Sequence, residues 1–375
     1  MRRLIFISVM LALIPFSRAG AQPTQTREVW TKDKVPSYVR QLTWFGERAD
    51  WSHDGKKILF VGRTFGDVYE VDVETGIITP VTHHYYHGGY TRALYLSNGD
   101  ILLSGPEQFN PAEHYTWRRW RCELWVLDKS LTKPPVKLGT YCFEGPCVSR
   151  TRLRIAWTQN YGQEARPTGR FVIWMADIDY STGKPLLTNQ QMVIDNTHPA
   201  ISGAVLECQN FRPPLEDEII FQSTRGVETF GVHLETGEVT NYSLAPDTHE
   251  EPEGIYPDGQ YTLVESDREA GTGSWPQNID FYRLALDGSG RTRRLSYFAE
   301  SGRWRGTNPV VSDDGKFIAF QVSPSGAEAG VGVGLYIYDI DKAEAAMGRL
   351  WNEALIGQWQ AVIFSPFMVR ECGRQ

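Results

Sequence analysis

One short pattern recurs along this chain: a strand, a turn built on Asp-Gly or Asn-Gly, and a second apolar strand. It reads Ala49-Asp50-Trp51-Ser52-His53-Asp54-Gly55-Lys56-Lys57-Ile58-Leu59-Phe60 near one end and Asn308-Pro309-Val310-Val311-Ser312-Asp313-Asp314-Gly315-Lys316-Phe317-Ile318-Ala319-Phe320 near the other. Between them lie Tyr95-Leu96-Ser97-Asn98-Gly99-Asp100-Ile101-Leu102 and Pro252-Glu253-Gly254-Ile255-Tyr256-Pro257-Asp258-Gly259-Gln260-Tyr261-Thr262-Leu263. The Gly supplies the positive φ of a two-residue hairpin turn, so each copy predicts a hairpin. A third strand follows, as in Tyr69-Glu70-Val71-Asp72-Val73-Glu74-Thr75-Gly76 and Gly231-Val232-His233-Leu234-Glu235-Thr236-Gly237, and beyond its polar turn a fourth strand returns. Four strands per repeating unit describe a propeller blade.

Two degenerate units complete the count. In Val148–Trp157, Arg152 replaces the Asp-Gly turn; in Val205–Gln222, the longer Pro213-Pro214-Leu215-Glu216-Asp217-Glu218 connection does. The fold expected is all-β, a six-bladed β-propeller with inner strands near residues 49, 91, 146, 203, 252 and 308. Arg40-Gln41-Leu42-Thr43-Trp44-Phe45 matches Arg294-Leu295-Ser296-Tyr297-Phe298, the outer strand of blade five, yet has no blade of its own. It is expected to complete blade six and close the ring, which removes an exposed sheet edge. The competing count is seven, with residues 355–370 opening another inner strand.

Composition agrees. The 12 Trp, 17 Tyr, 17 Phe, 35 Gly and 21 Pro favour short strands and tight turns. With 38 Lys or Arg against 45 Asp or Glu, the net charge of −7 excludes a generic nucleic-acid binder. Arg2 and Arg3, the apolar run Leu4–Phe16 and Ala19-Gly20-Ala21 form the pattern of an export signal, so residues 1–21 are expected to be removed. The run is short of the ~20 residues a membrane span needs. The expected mature protein is periplasmic or secreted: a monomeric propeller domain over 22–375, with 346–375 a C-terminal extension and no membrane span. An oxidising compartment permits disulfides, and Cys142 can pair with either Cys122 or Cys147, leaving Cys372 over.

The Ser/Pro-Asp-Gly hairpins, followed by Asp287-Gly288-Ser289-Gly290 and then Arg294-Leu295-Ser296, resemble the WD40-like (PD40) repeats of the TolB-type propeller family over residues 40–345. The resemblance implies a six-bladed scaffold. Only about 18 residues, Gln22–Val39, stand where TolB proteins carry an α/β domain, so a role in the Tol–Pal system is not expected. Such repeats also occur in oligogalacturonate lyases, where the resemblance implies a His-rich funnel with manganese, and in prolyl-oligopeptidase-type peptidases. No histidine occurs here after His249, and no Gly-x-Ser-x-Gly elbow or His-Glu-x-x-His pair is present.

Propellers bind ligands where connections enter the inner strands around the channel. His83, His84, His87, His198 and His249 all fall in such connections, five of the eight histidines. The expected funnel-face ligand residues are Arg48, His84, His87, Arg92, Glu144, His198, His249, Glu251 and Asn308. His87, His198 and His249 with one carboxylate would suit Mn²⁺ or Zn²⁺. The alternative is an aromatic loop, His83–His87, packed on a blade edge beside a solvated Glu250-Glu251 rim. Tyr115-Thr116-Trp117-Arg118-Arg119-Trp120-Arg121, between the second and third strands of blade two, offers indoles to a sugar or guanidinium groups to an anion. The function expected is non-catalytic binding of a protein or an oligosaccharide. The alternative is a metal-assisted saccharide lyase in which His or Arg abstracts a proton beside a uronate held by Arg48 or Arg92.

Overall fold

The computed structural model describes residues 29–161, 169–224, 227–269, 277–328 and 330–347, with 114–116 described by backbone alone. The expected export signal 1–21, the competing seventh-blade segment 355–370, Cys372 and nearly all of the expected extension 346–375 lie outside the described residues.

Strand β1 (Val39–Gln41) comes first in the chain. Blade one is β2 (Glu47–Trp51), β3 (Lys57–Val61), β4 (Val68–Asp72) and β5 (Ile78–Pro80); blade two is β6 (Arg92–Tyr95), β7 (Ile101–Gly105), β8 (Glu123–Leu127) and β9 (Val136–Tyr141). Blade three is β10 (Phe143–Val148), β11 (Arg154–Asn160), β12 (Phe171–Asp179) and β13 (Leu186–Asp195); blade four is β14 (Leu206–Phe211), β15 (Glu218–Ser223), β16 (Glu228–His233) and β17 (Val239–Asn241). Blade five is β18 (Glu250–Ile255), β19 (Tyr261–Ser266), β20 (Asp280–Ala285) and β21 (Thr292–Arg294); blade six is β22 (Trp304–Val311), β23 (Phe317–Pro324) and β24 (Leu335–Asp339). Each inner strand packs beside the inner strand of the next blade, and β22 returns to β2, so the six sheets form a ring. β1 closes it antiparallel to β24, with Val39 opposite Tyr338 and Gln41 opposite Tyr336. The all-β, six-bladed expectation holds, and so does closure by the segment around Arg40.

The repeated turn is wider than a two-residue hairpin. Ser52 N–H donates to Lys57 O at 3.0 Å and Gly55 N–H to Ser52 O at 2.9 Å; Ser312 N–H donates likewise to Phe317 O at 2.9 Å and Gly315 N–H to Ser312 O at 2.8 Å. The glycine at φ +69 or +71 ends a turn whose opening serine is fixed by the following aspartate: Ser52 Oγ donates to Asp54 at 2.8 Å, and Ser312 Oγ to Asp314 at 2.6 Å. In these two copies the serine matters as much as the glycine, because its hydroxyl also accepts the N–H of Lys57 or Phe317 and closes the loop; Leu96 and Tyr256 open the other two turns, where Gly99 and Gly259 N–H donate to their carbonyls.

Alternating apolar residues turn each sheet toward its neighbours, so the core lies between blades. Phe143, Ala156 and Ile173 of blade three pack on Leu206, Ile219 and Phe221 of blade four. At the seam Trp30, 1% exposed, meets the rings of Tyr38, Tyr297 and Phe298 edge-on at 5.4–6.0 Å. Burying one such side chain contributes on the order of 2 kcal/mol, which fastens the segment that carries β1. Among the described residues no helix is long and apolar enough to cross a membrane.

The cysteine expectation is corrected. Cys142 N–H donates to Cys122 O at 2.8 Å, so the two are neighbours across the blade-two hairpin, but both thiols are free and buried. Cys122 Sγ lies 3.9 Å from Thr91 Oγ1 and Cys142 Sγ points to Phe143 O at 3.7 Å, so neither Cys122 nor Cys147 bonds to Cys142.

Candidate functional site in the central channel

Three inner strands contain a non-glycine residue in the left-handed region: Arg48 at φ +54, Glu144 at φ +60 and Asn308 at φ +49. Each stands at a bulge where the ladder to the next strand skips, between Glu47 and Asp50, Phe143 and Pro146, and Thr307 and Val310. Such backbone costs on the order of 1–3 kcal/mol and persists where neighbours over-determine it. For Arg48 and Asn308 the preceding blade does so. Arg48 N–H donates to Gln321 Oε1 and Asn308 N–H to Glu265 Oε1, both at 2.6 Å, from equivalent second strands of blades six and five. The bulges place all three side chains on one cavity of about 210 Å³ at the funnel end of the channel.

The two sides of this cavity differ in charge. Glu207, His249, Glu251, Glu253 and Glu265 come from blades four and five, while Arg48, Arg92, Arg118, Arg119 and Arg305 come from blades one, two and six. His249 Nε2 is 3.0 Å from Glu251 Oε2, and one ligand atom from each of His249, Glu251 and Glu265 lies within 4.8 Å of the others. Asn308 Nδ2 donates to Glu253 Oε1 at 2.7 Å. Arg92 lies 4.0 Å from both Glu207 and Glu253, laid across a glycine: a Cβ on Gly145 would sit 2.8 Å from its Cγ. Arg48 Nη1 donates to Thr91 O at 2.8 Å, and its guanidinium rests on Gly330, where a Cβ would meet Nη2 at 2.2 Å.

Neighbours decide protonation. Burial pushes the carboxyls of Glu207 and Glu253 well above the usual range; Glu251 adds to this in both, although Arg92 opposes it. Burial, then Glu251, raises Glu265 to about 7 against the opposing Asn308 N–H and Arg305. Glu144 is equally buried, yet Arg118 (2.8 Å) and Arg119 (2.8 Å) overcome burial and hold it down to about 2. Three buried polar atoms of residues that line this cavity have no hydrogen-bond partner: Asn308 Oδ1 and Gln222 Oε1, both acceptors, and Arg48 Nε, a donor. Their residues are 7%, 6% and 5% exposed, so burial leaves these groups unpaid by water.

Arg48, Arg92, Glu207 and Glu253 also line a second chamber of about 330 Å³ toward the opposite face. Arg150, from the first turn of blade three, reaches across that face: Nη2 lies 2.6 Å from Asp313 of blade six, Nη1 3.4 Å from Asp50 of blade one, and Nη2 also donates to Trp51 O at 3.1 Å. His53 Nδ1 joins Asp313 at 2.9 Å.

Of the residues singled out from sequence, Arg48, Arg92, Glu144, His249, Glu251 and Asn308 come together. His84, His87 and His198 do not. His87 Nε2 faces Asp67 at 2.9 Å while its Nδ1 accepts Gly89 N–H, so both ring nitrogens are used in blade one's own loop. His84 is exposed, with Nε2 at 2.9 Å from Leu131 O. His198 Nδ1 caps a short 3-10 turn through Ala200 N–H. The expected trio His87, His198 and His249 is thus not formed; carboxylates accompany His249 instead. A connection that precedes an inner strand in sequence still runs over the blade before turning inward, and these rings sit on that outer part. Sequence reasoning missed Glu207, Glu253, Glu265, Gln222 and Arg305. The first two were within reach, since they lie on inner strands among apolar neighbours. Arg118 and Arg119, noted only as an aromatic and basic segment, ride on helix α1 (His114–Trp120) and enclose Glu144.

No protein-family model and no curated protein matches the chain. Among solved structures, an oligogalacturonate lyase in complex with manganese superposes with a TM-score of 0.50 at 12% identity, over 81% of this chain and 79% of that one. A gluconolactonase from Xanthomonas campestris gives 0.52 at 12%, over 80% and 89%. TolB from Acinetobacter baumannii gives 0.43 at 18%, over 78% and 65%. At these identities the likeness is one of fold, and the propeller scaffold is what this chain shares with the lyase and the gluconolactonase.

Proposed function

We propose that the protein is an exported, non-catalytic binding propeller whose funnel-end cavity takes a divalent cation together with an anionic oligosaccharide. The observation that carries this reading is a cavity acidic on one side and basic on the other, whose lining residues Asn308, Gln222 and Arg48 each keep a buried polar atom (Oδ1, Oε1 and Nε) without a hydrogen-bond partner. The donor chemistry fits a divalent cation: one imidazole, His249, and the carboxylates Glu251 and Glu265, with amide oxygens nearby. Its charge would offset the burial and the Glu251 repulsion that raise the Glu265 carboxyl. Arg92 and Arg48 then face a carboxylate of the ligand, and a site of about 210 Å³ matches a single sugar residue better than a folded protein surface. The export-signal pattern at 1–21 supports a periplasmic or secreted setting.

One observation favours a second reading. Glu265, titrating near 7 beside His249, is suited to proton abstraction, as a metal-assisted uronate lyase requires. In that reaction the C5–H and C4–O bonds break, a C4=C5 double bond forms, and the departing oxygen takes up a proton. Calorimetric titration of oligogalacturonate with Mn²⁺ present, alongside absorbance of unsaturated product, separates the two. Saturable Mn²⁺-dependent binding without absorbance change supports the binding reading; turnover supports the lyase. No Mn²⁺ uptake and no saccharide binding overturns both.

A further inference from the structure

We propose that Cys147 and Cys208 form a disulfide that joins the inner strands of blades three and four beside the channel. Their Sγ atoms lie 3.2 Å apart, closer than non-bonded carbon atoms at roughly 3.5–4.0 Å, although sulfur is the larger atom. Both residues are held in place by their strands. Cys147 is paired with Ala156 in the β10–β11 ladder, and Cys208 N–H donates to Thr158 Oγ1 at 3.0 Å across the blade boundary. Bond formation needs the sulfurs to close by roughly 1 Å, a small rotation about χ1. No other pair of described cysteines has such a thiol–thiol contact.

In the folded chain burial, and then the neighbouring Cys147, push the Cys208 thiol well up, so the thiolate that exchange requires is scarce once the blades have packed. Oxidation therefore belongs to folding. One thiolate attacks an external disulfide such as oxidised glutathione, forming a mixed disulfide and releasing one thiol. The second cysteine then attacks the protein sulfur and releases the other thiol, so that one disulfide is reduced for each one formed and two protons leave the pair. The bond flanks Pro146 and Glu207, and it fixes the backbone that presents Glu207 to Arg92. It is independent of the ligand proposed above.

The test is to refold the full chain in a reduced/oxidised glutathione buffer, denature it, and alkylate with iodoacetamide before and after reduction. The chain has five Cys. The proposal expects three alkylated before reduction, namely Cys122, Cys142 and Cys372, with a crosslinked peptide pair carrying Cys147 and Cys208. It also expects a melting temperature lower by about 5 °C in the C147A/C208A variant than in the oxidised protein. Five free thiols, or a crosslink between Cys122 and Cys142, overturns it. If the double variant fails to fold, the peptide map of the unmodified chain still decides.

Discussion

Glu265 and Glu144 show how one cavity sets two carboxyls apart. Glu144 has Arg118 and Arg119 against it and stays ionised; Glu265 has Glu251 beside it and is raised to about 7. For Glu265 the folded value lies above the unfolded one of about 4.3, so the folded state holds the extra proton between them and stability falls as pH rises through that window. A cation must displace this proton. Mn²⁺ affinity is therefore expected to rise by about tenfold or more between pH 6 and 8, with proton release that calorimetry in buffers of different ionisation enthalpy would detect. Glu265→Gln keeps an acceptor for Asn308 N–H, and should abolish the pH dependence and the Mn²⁺ binding while leaving the fold intact by circular dichroism. A pH-independent Mn²⁺ affinity in the unmodified protein would contradict this assignment. Such residues were only partly visible in the sequence. Arg48, Asn308 and Glu251 stand next to recognisable hairpins, so counting back from Asp-Gly finds them. Glu265 stands on a second strand, where nothing in its surroundings marks it as facing the axis.

The elements were easier to read than the loops that join them. The Asp-Gly or Asn-Gly turn is local chemistry, repeated, and it locates four hairpins without any tertiary information. The histidine connections are a different case. Where His87 settles depends on Asp67, twenty positions earlier, and no periodicity announces that bond. No sequence pattern announces the use of Gly330 either: at φ +85 it leaves room for the Arg48 guanidinium. Gly330→Ala adds a methyl group at 2.2 Å from Nη2, in a backbone region that disfavours side chains. It is expected to cost about 2 kcal/mol in denaturant unfolding and to weaken saccharide binding more than Mn²⁺ binding, because Arg48 faces the anion. Equal loss of both would place Arg48 among the supports of the whole cavity instead.

At the scale of the molecule, ring closure was legible because an orphan outer strand needs a sheet, and blade six lacked one. What no sequence pattern disclosed is Arg150. Apart from Arg92, which reaches Glu207 and Glu253 across the channel, the contacts described join neighbouring blades, as in a stacked array, where the loss of one interface is felt only next door. Arg150 instead ties blade three to blades six and one, on either side of the closing seam. Arg150→Met would take the guanidinium from Asp50 and leave Asp313 with His53 alone, and should cost about 2 kcal/mol. It should also make proteolysis of the β1 segment faster, although residue 150 lies in a different blade. The guanidinium thus acts as a spoke as well as a charge. A wheel held only at its rim opens wherever the rim parts, whereas one with a spoke opposite the join must break in two places at once, which couples the unfolding of distant blades into a single event.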